Sequence, residues 1–588
     1  MNFKLRNKYT LDPELALTEI LKDRGVKDID NFLYPTENCE LNPYDLDNIK
    51  NAADMLLNHL HKNHKILIII DQDCDGFTSA SILWLYIKRI FPQSLLSFTI
   101  HEHKQHGLED KIDWIETQDF DLVIAPDAAS FDIDAHKRLD NLGIDCICLD
   151  HHTQLYDNDG NPIISNFKNT IVVNNQLSPN YDNKSLCGAG VVYKFCEVLD
   201  DLLSIDCAHE YMDLVALGEI ADVMDRTNTE TNYLMMEGLS FIHNKGFQTL
   251  LESQSYSLKE KATFPWTGLT PIDIAFYIAP LINAITRIGT MQEKELLFYC
   301  FIEPDKEFQS TKRGAKPGDI ETAAEQAARI SKNVKARQDK IKEKAIDLID
   351  FKIQKNDLNQ NNVIVVEVQP DDNIPQEIGG LVAMSIVNKY NKPCLIVRKD
   401  SNNLLQGSAR TNNNFKALSN FKSYLENSGF FEYVAGHEGA FGLGIYEKRL
   451  PSFLNYVNTN LSDSDFENCY TVDYILDANN DNKNLLFTLA SHPEYFGNHI
   501  DEIKIIVKNI PLSNVMAMGA NKDSMKISCK DVDYIRFKDA DFVSEIMSYR
   551  TDLLTIYGRV NLNLFAGRVS IQVFIDDYEL VSNNKYDF

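Results

Sequence analysis

KILIIIDQDCDGFTSASILWLYIKRI, residues 65–90, decides the fold. Its first six residues, KILIII, are almost continuously apolar and β-branched, the composition of a strand buried on both faces. Residues 77–90, FTSASILWLYIKRI, carry a helical pattern directly after a loop. The same unit then repeats down the chain. FDLVIA (120–125) reads as the next strand and is followed by a helix through Ala135–Leu142. IDCICL (144–149) and TIVVN (170–174) supply two more strands, and 188–203 and 208–221 two more helices. Strand–helix alternation at this spacing predicts an α/β fold: a parallel sheet covered by helices on both faces.

Outside this sheet the character changes. Residues 1–60 are mixed and helical in pattern, an N-terminal extension, and the sheet domain is expected over 61–310. A connector, 311–352, contains a long helical run, 319–350, with Arg329, Lys332, Lys335, Arg337, Lys340, Lys342 and Lys344. Those charges suit a solvated helix face at least as well as contact with a polyanion. A second, smaller α/β domain is expected over 353–465, from VIVVEV (363–368), the helix 378–390 and CLIVR (394–398). From 466 to 588 the chain is β-rich, with IDEIKIIVK, LLTIYGRVNLNLF and RVSIQVFIDDYEL, and predicts a small β-barrel.

The chain has 588 residues, 44% of them hydrophobic and 24% charged, which places it among multidomain globular proteins. No apolar run is read as a membrane span, and the opening MNFKLRNKYT lacks the apolar region of a signal peptide, so a cytoplasmic protein is expected. The 11 cysteines are scattered without a Cys-x-x-Cys pair, and Cys146 and Cys148 read as buried reduced thiols. A net charge of −28 argues against a protein that coats nucleic acid indiscriminately, but leaves room for a local basic site.

The chemistry sits at the ends of the strands. KILIII runs into Asp71-Gln72-Asp73-Cys74-Asp75-Gly76, FDLVIAP into Asp127, and IDCICL into Asp150-His151-His152. The carboxyl ends of parallel strands line one rim, where ligands bind. So many carboxylates on one rim repel each other unless cations intervene. Carboxylates with a few imidazoles and no thiolate suit Mn²⁺ or Mg²⁺.

These motifs, continued by LVALGEIAD ending in Asp222, resemble the DHH phosphoesterases in order and spacing. LCGAGVVYK (186–194), APLINAITRIG (279–289), GSAR (407–410) and AGHEGAFGLGI (435–445) are similar to the RecJ-type exonucleases, and GRVNLNLFAGRVSIQVFIDDYEL to their terminal OB-like barrel. The resemblance implies a single-strand DNA exonuclease, 5′ to 3′, in DNA repair or recombination, partnered by a helicase or single-strand-binding protein. It implies two divalent cations, Mn²⁺ or Mg²⁺, on Asp73, Asp75, Asp127, His151 and Asp222, with Asp127 bridging and His152 facing the scissile phosphate. Asn283 and Arg287 match positions that hold backbone phosphate, Ser408 and Arg410 a pocket for the 5′ phosphate, and His437 a motif that closes over the nucleic acid.

Three positions depart from that pattern: Ile69 stands where relatives carry a histidine, and Thr286 and Ala435 stand where they carry glycine. His101, His103 and His106 fit no zinc spacing and read as a loop near the cleft in reach of phosphate. Two rival functions share the core: a phosphodiesterase for small oligonucleotides or cyclic dinucleotides, and a non-catalytic replication scaffold.

Overall fold

Strands Leu95–Ile100, Lys65–Ile70, Leu122–Pro126, Asp145–Asp150 and Thr170–Asn174 lie side by side in that order, all parallel. Alternate residues feed two cores. Ile66, Ile68 and Ile70 pack with the helices Cys74–Ile90, Gly188–Leu203 and Met212–Ala221. Leu67, Ile69, Val123, Ala125, Cys146 and Cys148 pack on the opposite face with Ala135 and Leu139 of helix Ile133–Leu142. Each fully buried isoleucine contributes roughly 1.5–3 kcal/mol relative to an exposed one. The chain leaves strand Lys65–Ile70 in one direction and returns on its other side at Leu122–Pro126, so the order reverses between them. That switch point opens a crevice at the carboxyl ends of the two strands, where Asp71 and Asp127 follow.

The computed structural model describes residues 1–588 except 103–104, 157–159, 413, 416–417, 419, 549–551, 566–567 and 582–588, and only the backbone of His437 and Phe565. The chain groups into two compact units. One comprises Arg24–Arg337 and Glu494–Asp501, the other Met1–Asp23, Gln338–Pro493 and Glu502–Phe588. The first unit holds the parallel sheet. The second holds a five-stranded sheet in the order Tyr433–His437, Ala440–Tyr446, Leu404–Arg410, Cys394–Lys399, Ile364–Glu367, flanked by helix Gly379–Tyr390. It also holds a seven-stranded sheet running from Tyr474–Asp477 to Val515–Met518, built around the long antiparallel pair Leu553–Phe565 and Arg568–Val581.

Helix Ala323–Lys355 is 33 residues long and crosses the division between the units. Within the first unit its basic residues are partly engaged: Arg329 pairs with Glu321, Arg337 with Glu293, and Lys332 donates to the Ser253 carbonyl. The cysteines are free thiols, and Cys146 and Cys148 are buried. One helix, Pro271–Ile288, is long and apolar enough by composition to cross a membrane, in contrast to the sequence expectation, but half of it is buried against protein. Ile274, Ile278, Ile282 and Ile285 join the main core, so its apolar content serves packing.

Candidate metal centre and nucleic-acid site

The loop after Lys65–Ile70 turns directly into helix Cys74–Ile90, with Asp73 as its N-cap accepting from the Gly76 backbone N–H at 2.9 Å. Asp75, in the first turn, accepts from the backbone N–H groups of Gly188 and Ala189 at 2.7 and 2.9 Å, the start of helix Gly188–Leu203. Two glycines let the carboxylates approach so closely. A Cβ on Gly76 would lie 2.6 Å from the Asp71 Cβ, and one on Gly188 2.5 Å from the Asp127 Cβ and Oδ1. Asp127 sits at φ 65° and Val223, immediately after Asp222, at φ 59°. Left-handed backbone at a β-branched residue costs about 1–3 kcal/mol and marks a site held in shape by its surroundings.

His151 gathers the acids around it. Its Nε2 lies 3.1 Å from Asp127 Oδ1 and 3.7 Å from both Asp75 Oδ2 and Asp222 Oδ2. Three overlapping ligand groups result at this rim, each with donor atoms within 4.8 Å of one another: Asp75, His151 and Asp222; Asp71, Asp73 and Asp127; and Asp127, His151 and His152. The five residues singled out in the sequence as ligands are thus brought together, and Asp71 joins them.

Burial first, and then the charges of Asp75, Asp73, Asp71 and Asp222, push the Asp127 carboxyl far above the usual carboxylate range. Burial with Asp75 and Asp73 raises Asp222 to about 8, and burial with Asp71 and Asp75 raises Asp73 to about 6. Burial keeps His151 below its ordinary value, leaving a neutral ring with a lone pair to offer. Among the described residues, Asp71 Oδ1 and Asp127 Oδ1 are buried with no hydrogen-bond donor. Unsatisfied oxygens, mutual repulsion and a neutral imidazole are what a pair of hard divalent cations would resolve, so the residues fit Mn²⁺ or Mg²⁺.

His152, half-exposed, hydrogen-bonds through Nδ1 to Asp150 Oδ1 at 2.7 Å. Burial alone would lower His152, yet the hydrogen bond and charge of Asp150 lift it to about 9. Asp150 is held in turn by the backbone N–H groups of Ser130, His151 and His152. Burial would raise it, but the hydrogen bond and charge of His152 hold it well below the usual range. Asp150 therefore orients His152 and was not given a role in the sequence; its place at the head of the Asp-His-His triplet is the signal. His101 corrects the loop expectation: it is fully buried against Asp110, out of reach of phosphate. His106 hydrogen-bonds to Asp71, and His103 lies outside the described residues.

Asn283 and Arg287 lie on helix Ala279–Ile288. Surrounding protein lowers Arg287, while the nearby charge of Asp73 acts to raise it. Thr286, in place of glycine, is buried and donates back to the Asn283 carbonyl at 3.3 Å. In the second unit Ser408 and Arg410 share one face of strand Leu404–Arg410 beside the first turn of helix Gly379–Tyr390. A Cβ on Gly380 would fall 2.3 Å from Arg410 Nη2, and one on Gly379 3.9 Å from Ser408 Oγ. His437 ends strand Tyr433–His437, where Ala435 is exposed; the His437 side chain lies outside the described residues.

A parallel sheet that delivers Asp-x-Asp, a lone Asp and Asp-His-His to one acidic rim defines a DHH-type phosphoesterase domain. Residues 65–219 match the DHH family, N-terminal domain, and residues 472–577 the RecJ OB domain. The provisionally named SPbeta prophage-derived single-strand DNA-specific exonuclease YorK of Bacillus subtilis is 33% identical over 586 residues, 98% of this chain and 97% of that protein. The single-stranded-DNA-specific exonuclease RecJ of the same species is 24% identical over 566 residues, 93% of this chain and 65% of that protein. Thermus thermophilus RecJ in complex with Mn²⁺ has the same fold, at TM-score 0.68 and 19% identity, covering 98% of this chain and 78% of that one. Its Mg²⁺ complex matches at TM-score 0.63 and 18% identity, covering 98% and 77%. The chain belongs to the RecJ-type exonucleases of the DHH family. Its architecture is a DHH domain, a second smaller α/β domain and a C-terminal OB domain.

Proposed function

We propose that this protein is a metal-dependent exonuclease that hydrolyses single-stranded DNA from the 5′ end, working in the cytoplasm in DNA repair or recombination beside a helicase or single-strand-binding protein. The observation that carries the proposal is the convergence of five carboxylates and His151 on one crevice, with buried oxygens that no protein donor satisfies. Divalent cations held by Asp71, Asp73, Asp75, Asp127, His151 and Asp222 would supply an activated water and neutralise phosphate charge. His152, kept protonated by Asp150, offers a charged N–H to a phosphate oxygen. Arg287, on a helix within the field of Asp73, adds a guanidinium for the adjoining backbone phosphate, with Asn283 one turn earlier. Ser408 and Arg410, side by side on one strand face next to the first turn of helix Gly379–Tyr390, suit a terminal phosphate, a guanidinium and a hydroxyl both donating to its oxygens. A pocket for the 5′ phosphate is the basis for the polarity. The five acids and His151 gathered at the rim disfavour a scaffold, though Ile69 leaves one group without an imidazole, and the OB domain disfavours a small-molecule phosphodiesterase.

Single- and double-stranded DNA, labelled at either end and incubated with Mn²⁺ or Mg²⁺, test the proposal. Loss of mononucleotides from the 5′ end of single strands alone is expected. Failure to degrade any single strand in either metal would refute the activity, and release from the 3′ end would refute the polarity. Arg410→Ala should lower the preference for 5′-phosphorylated over 5′-hydroxyl single strands by about tenfold or more, since a hydrogen bond to a charged group is worth about 1.5–3 kcal/mol. An unchanged ratio of the two rates would remove Arg410 from end recognition.

A further inference from the structure

Helix Pro271–Ile288 turns two large aromatic side chains toward solvent. Phe276 is 68% exposed and Tyr277 38% exposed, while Ile274, Ile278, Ile282 and Ile285 are fully buried. The cause is local. Ile274–Ile278 form one π-helical turn between α-helical segments. Ile274, Ile278, Ile282 and Ile285, spaced four, four and three, share the buried face, and Phe276, two residues after Ile274, falls on the side turned to solvent. Single π turns of this kind occur mostly at functional sites.

An exposed phenylalanine alone needs no explanation. What distinguishes Phe276 is its alignment. Phe276, Pro280, Asn283 and Arg287 follow one another at spacings of four, three and four, and so share one side of the helix. That row ends on helix Ala279–Ile288, which packs against helix Cys74–Ile90, the helix capped by Asp73 at the acidic rim. The eleven steps from Phe276 to Arg287 span about 16 Å at the helical rise. That distance is about five nucleotides at stacked spacing, and fewer in a stretched strand. One helix therefore carries a guanidinium at the crevice, an amide one turn away, and an accessible π-face a few nucleotides beyond.

We propose that Phe276 is a stacking platform for one base of the nucleic-acid strand, a few nucleotides from the bond being cut. This inference rests on the single-strand exonuclease function proposed above, and extends it to the grip on the bases. Every base has a π-face, so such a contact holds the strand without selecting sequence, while Asn283 and Arg287 hold its backbone. Duplex DNA, with its bases already stacked inside, gives Phe276 nothing to bind.

The test is binding of fluorescent 12-nucleotide single strands, with Ca²⁺ in place of Mn²⁺ to hold back cleavage, read by anisotropy. One strand is intact and the others each carry a single abasic site at successive positions from the 5′ end. For the parent, one abasic position should weaken binding by about tenfold. Phe276→Ala should weaken the intact strand by a similar factor and abolish the effect of that one abasic position, leaving the others unchanged. Phe276→Trp should restore both affinity and abasic sensitivity; Phe276→Leu, apolar but without a π-face, should not. Because Phe276 is exposed, the alanine variant should melt with the parent. If the parent binds single strands and Phe276→Ala matches it, or if the alanine and abasic losses simply add, the stacking role is overturned while the exonuclease function stands. If the parent neither binds nor degrades single strands, the function proposed above fails and this inference with it.

Discussion

Replacing Asp127 with alanine or asparagine should abolish DNA hydrolysis while leaving the chain folded. Asp127 belongs to the ligand group with Asp71 and Asp73, and its Oδ1 also lies 3.1 Å from His151 Nε2, which groups with Asp75 and Asp222. A carboxylate placed between two cation sites is lost to both at once. The expected fall is about 10³-fold or more, corresponding to several kcal/mol of transition-state stabilisation at about 1.4 kcal/mol per tenfold. The fold should survive because Asp127 is an electrostatic burden without metal: burial and four neighbouring carboxylates hold its ionised form at high cost. Asp127→Asn is the cleaner variant, since asparagine adopts the left-handed backbone at this position at less cost than alanine. Steady-state rates on single-stranded DNA and thermal melts of the metal-free proteins check both halves. An Asp127→Asn enzyme cutting at near the parent rate would show that the metal centre lies elsewhere; one that is inactive and unfolded would show that Asp127 is structural.

Strands buried on both faces were legible because nothing but apolar residues can occupy them: KILIII and IDCICL each became a strand within a residue or two of the expected bounds, and TIVVN, at one edge, was legible from its β-branched run. Leu95–Ile100 was not singled out, because an edge strand is half-exposed and LLSFTI carries no continuous apolar signal. The acids at the strand ends were legible for a topological reason, since every parallel strand delivers the residue after it to the same rim. What each acid does there depends on where its oxygens point. Asp150 stands beside the ligands in sequence, yet its carboxylate folds back onto Ser130, His151 and His152 and serves orientation. His101 and His106 are five residues apart, and only burial separates a sealed partner of Asp110 from an accessible partner of Asp71. Phe276 was hidden in another way. IAFYIAPLI is apolar on every side of the helix, so its hydrophobicity does not mark which side faces solvent.

Metal titration should reveal two unequal sites, one tight and one at least about tenfold weaker, with activity rising only as the second fills. Asp75, His151 and Asp222 with a share of Asp127 would make a mixed nitrogen and oxygen site. The other group has Asp71, Asp73 and the rest of Asp127, without an imidazole. Ile69, where relatives carry histidine, is buried in the apolar core beneath the sheet and coordinates nothing. One oxygen of Asp71 is already engaged by His106, leaving Oδ1 for a cation. Mn²⁺ should fill the weaker site better than Mg²⁺, which sheds its water reluctantly. The two ions should also differ in their protons. At pH 7 Asp222, with its value near 8, keeps a proton that the first ion must displace, and burial among acids pushes Asp127 upward in the same direction. Asp73, near 6, is already mostly ionised for the second. Raising the pH from 6.5 to 8.5 should therefore strengthen the tight site more than the weak one, and calorimetry in buffers of different ionisation heat should show more proton release in the first step. The same shifts fix the sign for stability. A carboxyl raised in the folded state stays protonated where the unfolded chain has let its proton go, so the metal-free fold loses stability as pH climbs from about 4 to about 8. Cations that replace those protons restore it, by about 2.7 kcal/mol at a hundredfold excess over Kd. Mn²⁺ should accordingly raise the melting temperature more at pH 8 than at pH 6. Two equally tight ions, full activity with one ion bound, or affinities indifferent to pH would each overturn this assignment of the ligands.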